Sequence, residues 1–171
     1  GGLDGADALC TQFAVKAQTP LGQTLLKRAA VRTFRAWLST YDDEPAKRFT
    51  KKVGGTYVGL DGMVIADGWA DLTDGTLDSV VKYSVDSANV YKISVLNPLT
   101  PVLTQTRADG KRQGELPGSP CDGWTEAAFE NKMTAYYGLA NDQADLTWSE
   151  AYHGVAQGLC GAPVTLYCVE D

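Results

Sequence analysis

The single histidine and the carboxylates are the residues that could support catalysis. A nucleophilic site needs a serine or cysteine beside a base, but His153 follows Glu150-Ala151-Tyr152 with no Gly-x-Ser-x-Gly motif or reactive-cysteine context. Paired carboxylates such as Asp67 with Asp71 suit a glycosidase only where a cleft holds the substrate between them. The sequence therefore predicts a protein that is not an enzyme and has no cofactor.

The cysteines predict disulfides rather than a metal site. Cys10, Cys121, Cys160 and Cys168 contain no Cys-x-x-Cys pair, and one histidine is too few for a usual zinc site. An even number of cysteines without metal-ligand spacing is typical of oxidising compartments. We expect two disulfides, in any of three connectivities, and an extracellular, cell-surface or periplasmic location.

Two loop segments, residues 57–80 and 107–120, contain the turn-forming and charged residues expected of a binding surface. The candidate ligand-binding residues are Asp67, Trp69, Asp71 and Asp74 in the first segment and Arg107, Asp109, Lys111 and Arg112 in the second. The alternative for each charged residue is an ordinary solvated position on the surface with no ligand. Trp69 is expected in the core rather than as an exposed platform for stacking a sugar, because aromatic side chains gain most free energy from burial.

Calcium is the one metal that the aspartates around Trp69 could hold through their oxygen atoms. Their spacing is not that of an EF-hand loop. The chain also lacks the Glu-Pro-Asn, Gln-Pro-Asp and Trp-Asn-Asp triplets with which many C-type lectins bind calcium. We therefore predict no metal site and interpret these aspartates as turn residues, with a calcium-binding loop as the alternative.

Composition and charge exclude several classes of partner. The 171 residues are 44% hydrophobic and 21% charged, as in an ordinary globular protein, and predict a single domain over residues 1–171. The formal net charge of -6 disfavours nucleic acid, which requires clustered, unopposed cations. No apolar stretch reaches the roughly 20 residues that a membrane span needs, so no membrane insertion is expected.

Hydrophobic periodicity predicts an amino-terminal helix with Asp4 or Asp7 as its N-cap. Its apolar face is formed by Leu9, Cys10, Phe13, Ala14 and Ala17. A second helical stripe covers residues 21–30. The next segment alternates as a strand, with Phe34, Ala36 and Leu38 on one face and Arg35 and Trp37 on the other. A short surface helix is expected near residues 44–51.

Later segments predict short strands between long loops. Residues 57–78 should contain little regular structure, because they are rich in Gly and Asp. Strands are expected over residues 91–95, 102–106 and 164–168. A helix is expected from the spacing of Phe129, Met133 and Tyr136 or Tyr137. Early helices followed by short strands indicate an α+β fold.

Four ordered motifs together resemble the endostatin family. They are Gly5-Ala6-Asp7-Ala8-Leu9-Cys10, Thr33-Phe34-Arg35-Ala36-Trp37-Leu38-Ser39, Cys121-Asp122-Gly123-Trp124-Thr125 and Leu166-Tyr167-Cys168-Val169-Glu170. The resemblance implies a C-type-lectin-like fold with a mixed, mostly antiparallel sheet, flanking helices and long loops. It also implies two nested disulfides, in which Cys10 pairs with Cys168 and Cys121 pairs with Cys160.

The chain departs from this family at two points. Family members usually have a strand before the Gly-Ala-Asp helix, and that first strand is missing here. Either the strand is not included in this sequence, or the domain tolerates its absence and a neighbouring strand forms an exposed sheet edge. Collagen-derived members bind zinc through amino-terminal histidines and heparin through many arginines. With His153 alone and an acidic balance, neither property is expected, because sulfate groups would meet net repulsion.

The sequence supports two functional hypotheses. In the first, residues 57–80 and 107–120 form an extracellular binding or adhesion surface for a protein or glycan partner, as in bacterial endostatin-like domains. In the second, the chain is a structural or oligomerisation domain whose exposed sheet edge or acidic face contacts a neighbouring copy. The fold alone does not distinguish them, and the oligomeric state stays open.

Overall fold

Short helices and strands alternate along the chain. The computed structural model describes residues 1–16, 33–51, 54–86, 92–95, 100–114, 121–125, 135–140, 147–150, 152–154 and 165–171. The helices in these ranges are α1 (Gly2–Lys16), α2 (Pro45–Arg48), α3 (Trp69–Leu72), α4 (Cys121–Trp124, a left-handed turn) and α5 (Thr147–Glu150). The strands are β1 (Phe34–Ala36), β2 (Thr56–Val58), β3 (Val64–Asp67), β4 (Tyr83–Asp86), β5 (Lys92–Val95), β6 (Thr100–Leu103), β7 (Ala135–Ala140), β8 (Tyr152–Gly154) and β9 (Cys168–Glu170).

Every strand pair among the described residues is antiparallel. β1 pairs with β9, β2 with β3, and β4 with β5, whereas β7 lies between β6 and β8. The only parallel contact in this part of the chain is an isolated bridge between Val102 and Thr165. The protein thus has a small mixed α/β architecture with short antiparallel sheets, and the lectin-like arrangement stays a prediction.

Helix α1 packs on β1 through residues spaced four apart. Ala6, Cys10 and Ala14 are buried, because a step of four residues returns side chains to the same helical face. They contact the buried side chains of Phe34 and Ala36 in an apolar cluster. The helical prediction is confirmed for residues 2–16, but Leu9 of the predicted apolar face is exposed, because the buried face is centred on Ala6, Cys10 and Ala14. The stripe at 21–30 and Ala17 lie outside the described residues.

The predicted N-cap of α1 is wrong. The helix begins at Gly2, so Asp4 and Asp7 lie within it. The Asp7 carboxylate instead reaches β1, where its Oδ1 accepts a hydrogen bond from the Ala36 N–H at 2.9 Å. The two residues are 29 positions apart in sequence. Asp7 therefore uses its carboxylate to bond to a distant backbone N–H instead of capping its own helix.

Side chains cover one edge of β1, and β9 covers the other. Arg48 Nη1 donates to the carbonyls of Ala36 at 3.3 Å and Leu38 at 3.2 Å. Arg48 Nη2 donates to both Asp7 oxygens, at 2.7 and 2.6 Å. These bonds satisfy backbone groups that would otherwise need a neighbouring strand. The edge of β1 that faces α1 and α2 is therefore not exposed.

Aromatic side chains form the larger apolar cluster. The ring of Trp37 lies 5.8 Å from Phe49, 5.8 Å from Trp69 and 5.2 Å from Trp148, measured between centroids. Alternation places Phe34, Ala36 and Leu38 on one face, as predicted, but Trp37 on the opposite face is buried as well. The segment therefore packs on both sides, because this second cluster covers Trp37 on the face opposite Ala36.

Long-range pairing overturns two further expectations. Residues 57–78, predicted to be irregular, contain the hairpin β2–β3 and the one-turn helix α3. Tyr136 and Tyr137, predicted in a helix, lie in β7, while Phe129 and Met133 lie outside the described residues. In β7 the Tyr136 N–H donates to Gln105 Oε1 at 3.0 Å. A cross-strand partner 31 residues away outweighs the local helical spacing.

Three of the other predicted elements occur with shifted bounds. The surface helix near 44–51 is α2, the strand at 91–95 is β5, and the strand at 102–106 overlaps β6. The closing strand is β9, with Cys168 in it and Val164 outside the described residues. No helix in the described ranges is both long and apolar enough to cross a membrane.

One disulfide joins the first helix to the last strand. Cys10 in α1 and Cys168 in β9 are bonded, with their Cα atoms 5.3 Å apart and 158 positions between them. Cys121 is also disulfide-bonded, so its sulfur atom is not a free thiol. Its expected partner Cys160 lies outside the described residues, so the inner pairing stays a prediction.

Asp171 provides a pH-dependent contribution to stability. Burial alone would raise the pKa of its carboxyl group, but hydrogen bonds from Arg35 Nε at 2.8 Å and from the Thr50 N–H at 2.6 Å bring that pKa below its ordinary value of 3.8. The folded protein therefore binds this proton more weakly than the unfolded chain does. The resulting stabilisation is complete above the ordinary pKa and is lost as the pH falls through the lowered one.

We expect Asp171→Asn to reduce the free energy of unfolding near neutral pH, and the difference from the wild type to shrink as the pH falls below the ordinary pKa of 3.8 and through the lowered pKa of the folded protein. Urea unfolding at a series of pH values measures the difference. A difference that stays constant down to the lowest pH would contradict the assigned role of this carboxylate.

Candidate functional site

A tight turn organises the second candidate segment. The Arg107 N–H donates to the Lys111 carbonyl at 2.7 Å, and the Gly110 N–H donates to the Arg107 carbonyl at 3.0 Å. Asp109 Oδ1 accepts from the Lys111 N–H at 3.0 Å. An Asx-type bond of this kind stabilises a turn locally. Residues 107–111 are therefore held by their own hydrogen bonds, while residues 115–120 of the segment lie outside the described residues.

Gly110 allows this turn to pack directly on the aromatic cluster. Its φ is +76°, and an added Cβ would lie 3.2 Å from the Trp69 ring and 3.5 Å from the Trp37 ring. Its carbonyl accepts the Ala46 N–H at 2.9 Å. Both the left-handed backbone and the close approach require glycine here. The two candidate segments thus meet at the contact between Gly110 and Trp69, although they are about 40 residues apart in sequence.

The turn directs charged side chains outwards. Ala108 is buried beside Gly110, whereas the flanking side chains of Arg107 and Lys111 are 50% and 64% exposed. Asp109 lies between them, with its Oδ2 at 3.8 Å from Arg107 Nη2 and 3.7 Å from Lys111 Nζ. Exposed pairs at these distances contribute little to stability, so the charges remain accessible to a partner.

An exposed aromatic ring extends this surface. Tyr41 is 65% exposed, and the guanidinium carbon of Arg112 lies 5.0 Å from the centroid of its ring, within cation–π distance. The Arg112 N–H donates to Glu44 Oε2 at 2.9 Å, which ties the turn to the start of α2. We define the loop face as Tyr41, Arg107, Asp109, Lys111 and Arg112.

The aspartates of the first segment bond to nearby groups. Asp71 Oδ2 accepts the Asp67 N–H at 2.6 Å. Asp74 Oδ1 accepts the Thr76 N–H at 2.9 Å and its hydroxyl at 3.1 Å. These are local turn contacts. Across the described ranges, no group of three or more histidine, cysteine or acidic side chains could hold a metal ion.

Trp69 occupies the boundary between core and surface. Its side chain is half-buried and packs on Phe49 at 5.9 Å as well as on Trp37. The structure therefore places Trp69 beside the turn at Gly110, where its ring packs against the turn and supports it. The aspartates at 67, 71 and 74 belong to the same segment as Trp69, and no contact joins them to the charged side chains of the loop face in the described part.

Sequence reasoning did not select Tyr41 and Glu44. Tyr41 is separated by about 70 residues from its cation Arg112, so no local pattern links them. One signal was available: Tyr41 precedes Asp42-Asp43 in a polar turn, where an aromatic residue has no apolar neighbours with which to be buried. Glu44 Oε1 lies 3.8 Å from Lys47 Nζ, and its Oε2 accepts the Arg112 N–H, a contact 68 positions away that no local pattern indicates.

Comparisons with known proteins found no match to this chain among protein-family models, curated proteins or solved structures.

Proposed function

We propose that the protein is a non-catalytic extracellular binding or adhesion module that recognises a protein or glycan partner through the loop face. The observation that carries this proposal is the exposure of Tyr41, Arg107 and Lys111 on a turn whose backbone is seated on buried tryptophans. The disulfide between Cys10 and Cys168 supports an oxidising location. The resemblance to the endostatin family supports the same class of function.

The rigidity of the turn favours recognition. Binding costs free energy when a surface must become ordered, and a surface that is already held avoids part of this cost. Here Gly110 is fixed against Trp69, and the Arg112 N–H is fixed to Glu44. A partner therefore has to immobilise side chains but not the backbone.

The chemistry of the loop face also suits a binding surface. Tyrosine and arginine are enriched among residues that dominate binding energies, because each combines a large contact area with a polar group. Within the loop face Arg107, Lys111 and Arg112 accompany a single carboxylate, Asp109. This local excess of cations contrasts with the net charge of -6 of the whole chain. We expect binding to weaken as the salt concentration rises.

A screen against glycans and extracellular-matrix proteins, run with calcium and with a chelator, tests the proposal. For a partner found in this way, we expect Tyr41→Ala and Lys111→Ala each to weaken binding roughly tenfold, with a melting temperature close to that of the wild type. Both side chains are exposed, so their removal leaves the core intact.

The matched control is Lys51→Ala, which removes an exposed cation elsewhere. We expect its affinity to equal that of the wild type. Trp69→Ala is unsuitable as a test, because removing a ring that packs on Trp37 and Phe49 lowers stability together with affinity. Equal losses from Lys51→Ala and Lys111→Ala would exclude the loop face as the site, and loss of binding on chelation would indicate a calcium site instead.

A further inference from the structure

Arg112 differs from the other two cations of the loop face in what its charge contacts. Arg107 and Lys111 approach a single carboxylate, that of Asp109, at 3.8 and 3.7 Å. The guanidinium carbon of Arg112 instead lies over the ring of Tyr41, at 5.0 Å from its centroid. Among the described residues, the side-chain N–H groups of Arg112 donate to no acceptor. Two cations of the loop face thus share one carboxylate, and the third has an aromatic partner.

A contact with an aromatic ring leaves the hydrogen-bonding groups of an arginine available. The attraction acts on the positive charge, whereas the five N–H donors of the guanidinium group lie in its own plane. Two of these donors match the two oxygens of a carboxylate, which is the geometry of a bidentate ion pair. The ring of Tyr41 also restricts the long side chain of Arg112, so less conformational freedom is lost when a ligand binds.

The backbone of Arg112 is fixed from two directions. Its N–H donates to Glu44 Oε2 at 2.9 Å, a contact between residues 68 positions apart. An isolated antiparallel bridge also pairs Arg112 with Thr106, across the base of the turn. The other oxygen of Glu44 lies 3.8 Å from Lys47 Nζ, so this carboxylate is engaged in holding the loop to α2. Arg112 is therefore presented from a backbone that is already ordered.

We propose that Arg112, supported by Tyr41, binds the carboxylate of an acidic side chain on a partner protein. This inference rests on the function proposed above and specifies the chemistry of the partner. Tyr41 is 65% exposed even with the guanidinium group over its ring, so it also offers apolar area beside Arg112. An apolar side chain next to the acidic one would pack there. The preferred ligand is an aspartate or glutamate adjacent to an apolar residue.

The charges and the ring of the loop face favour a protein over a glycan. A sulfated glycan repeats its negative groups, and these would meet Asp109 between Arg107 and Lys111, where like charges repel. A neutral sugar gains most by stacking on an aromatic face, but the guanidinium group of Arg112 lies over that of Tyr41. A protein surface presents a single carboxylate together with cations, which Asp109 accommodates.

Two end-blocked peptides test this chemistry. They are identical except that one contains a glutamate beside a leucine and the other a glutamine at the same position. Each is titrated into isotope-labelled protein, and NMR follows the side-chain Nε–H resonance of Arg112. We expect the glutamate peptide to shift this resonance and to bind at least roughly tenfold more tightly than the glutamine peptide, because only the carboxylate forms a charge-assisted pair.

Arg112→Lys separates the planar donor group from the charge. Lysine keeps the positive charge and the backbone N–H that bonds to Glu44, but it cannot form the bidentate pair. We expect the preference for the glutamate peptide to fall to about twofold or less. Lys51→Ala is the control, because it removes an exposed cation outside the loop face, and it should retain the wild-type preference. Thermal unfolding of each variant confirms that it is folded.

The outcomes distinguish this inference from the function on which it rests. Equal affinity for the two peptides would overturn the acidic ligand, yet loss of both in Tyr41→Ala would retain the loop face as a binding site. An unchanged preference in Arg112→Lys would overturn the role of Arg112. Tighter binding of a heparin oligosaccharide or of the methyl glycoside of N-acetylneuraminic acid would identify a glycan anion instead. If the glutamate peptide does not bind, the inference fails, and the screen described above tests the loop face separately.

Discussion

Replacing Cys10 and Cys168 together by alanine is expected to lower the free energy of unfolding by about 4 kcal/mol. The bond closes a loop across 158 positions, so it removes a large part of the freedom of the unfolded chain. It also fastens α1 to β9 beside the strand pair β1–β9. Urea unfolding of the wild type and the double variant under non-reducing conditions measures the loss.

Leu9→Ala is the control for this experiment. Leu9 neighbours Cys10 in α1 but is exposed, and exposed substitutions usually change stability by less than about 0.5 kcal/mol. A double cysteine variant that loses no more than this control would show that the outer disulfide has no role in stability. Substituting both cysteines avoids leaving one thiol free to pair wrongly with Cys121.

Replacing Arg48 by methionine is expected to cost about 3 kcal/mol, because it breaks a largely buried ion pair and leaves its partner charged. The guanidinium group donates two bonds to Asp7 and one each to the carbonyls of Ala36 and Leu38. Methionine preserves the length and apolar stem of the side chain but none of these bonds. Urea unfolding at neutral pH measures the effect.

Two further variants separate charge from packing. Without Arg48 the half-buried Asp7 carboxylate keeps, among the described residues, only the longer ion pair with Arg35 Nη1, at 3.4 Å. Arg48→Met with Asp7→Asn removes this poorly balanced charge and keeps an oxygen for the Ala36 N–H, so it should be more stable than Arg48→Met alone by about 1 kcal/mol. Lys47→Met removes the exposed neighbouring cation and should have almost no effect. Equal losses from Lys47→Met and Arg48→Met would refute the role assigned to Arg48.

Local patterns predicted the beginning of the fold well. Helix α1 and the alternation of Phe34, Ala36 and Leu38 depend on which residues can share one face, and that is a property of neighbouring positions. The helix predicted at Tyr136 and Tyr137 was wrong, because these residues pair with distant strands in β7. Residues 57–78 were predicted to be irregular, since Gly and Asp are usual in turns, but the β2–β3 hairpin uses those turns to return on itself.

The candidate site likewise contains residues that could be predicted from the sequence and residues that could not. Arg107, Asp109, Lys111 and Arg112 could be selected from sequence, because charged residues around Asp109-Gly110 indicate an exposed turn. Tyr41 could not, since its contact with Arg112 joins segments that approach only in the folded chain. Trp69 packs on Trp37, in agreement with the burial expected of an aromatic side chain, but its position beneath the turn at Gly110 joins segments that approach only in the folded chain.

The order of amino acids by itself determined the even set of cysteines, the acidic balance, the helical conformation of α1 and the turn at Gly110, because each depends on composition or on residues a few positions apart. Only the tertiary structure decided that Asp7 bonds to Arg48, that Trp37 is buried opposite Ala36, and that Gly110 rests on Trp69. Asp7 lies 41 positions from Arg48, and the ring of Trp148 that covers Trp37 comes from a segment still more distant in sequence. Their free energy arises from burial and from backbone groups satisfied at a distance, which no short stretch of sequence specifies.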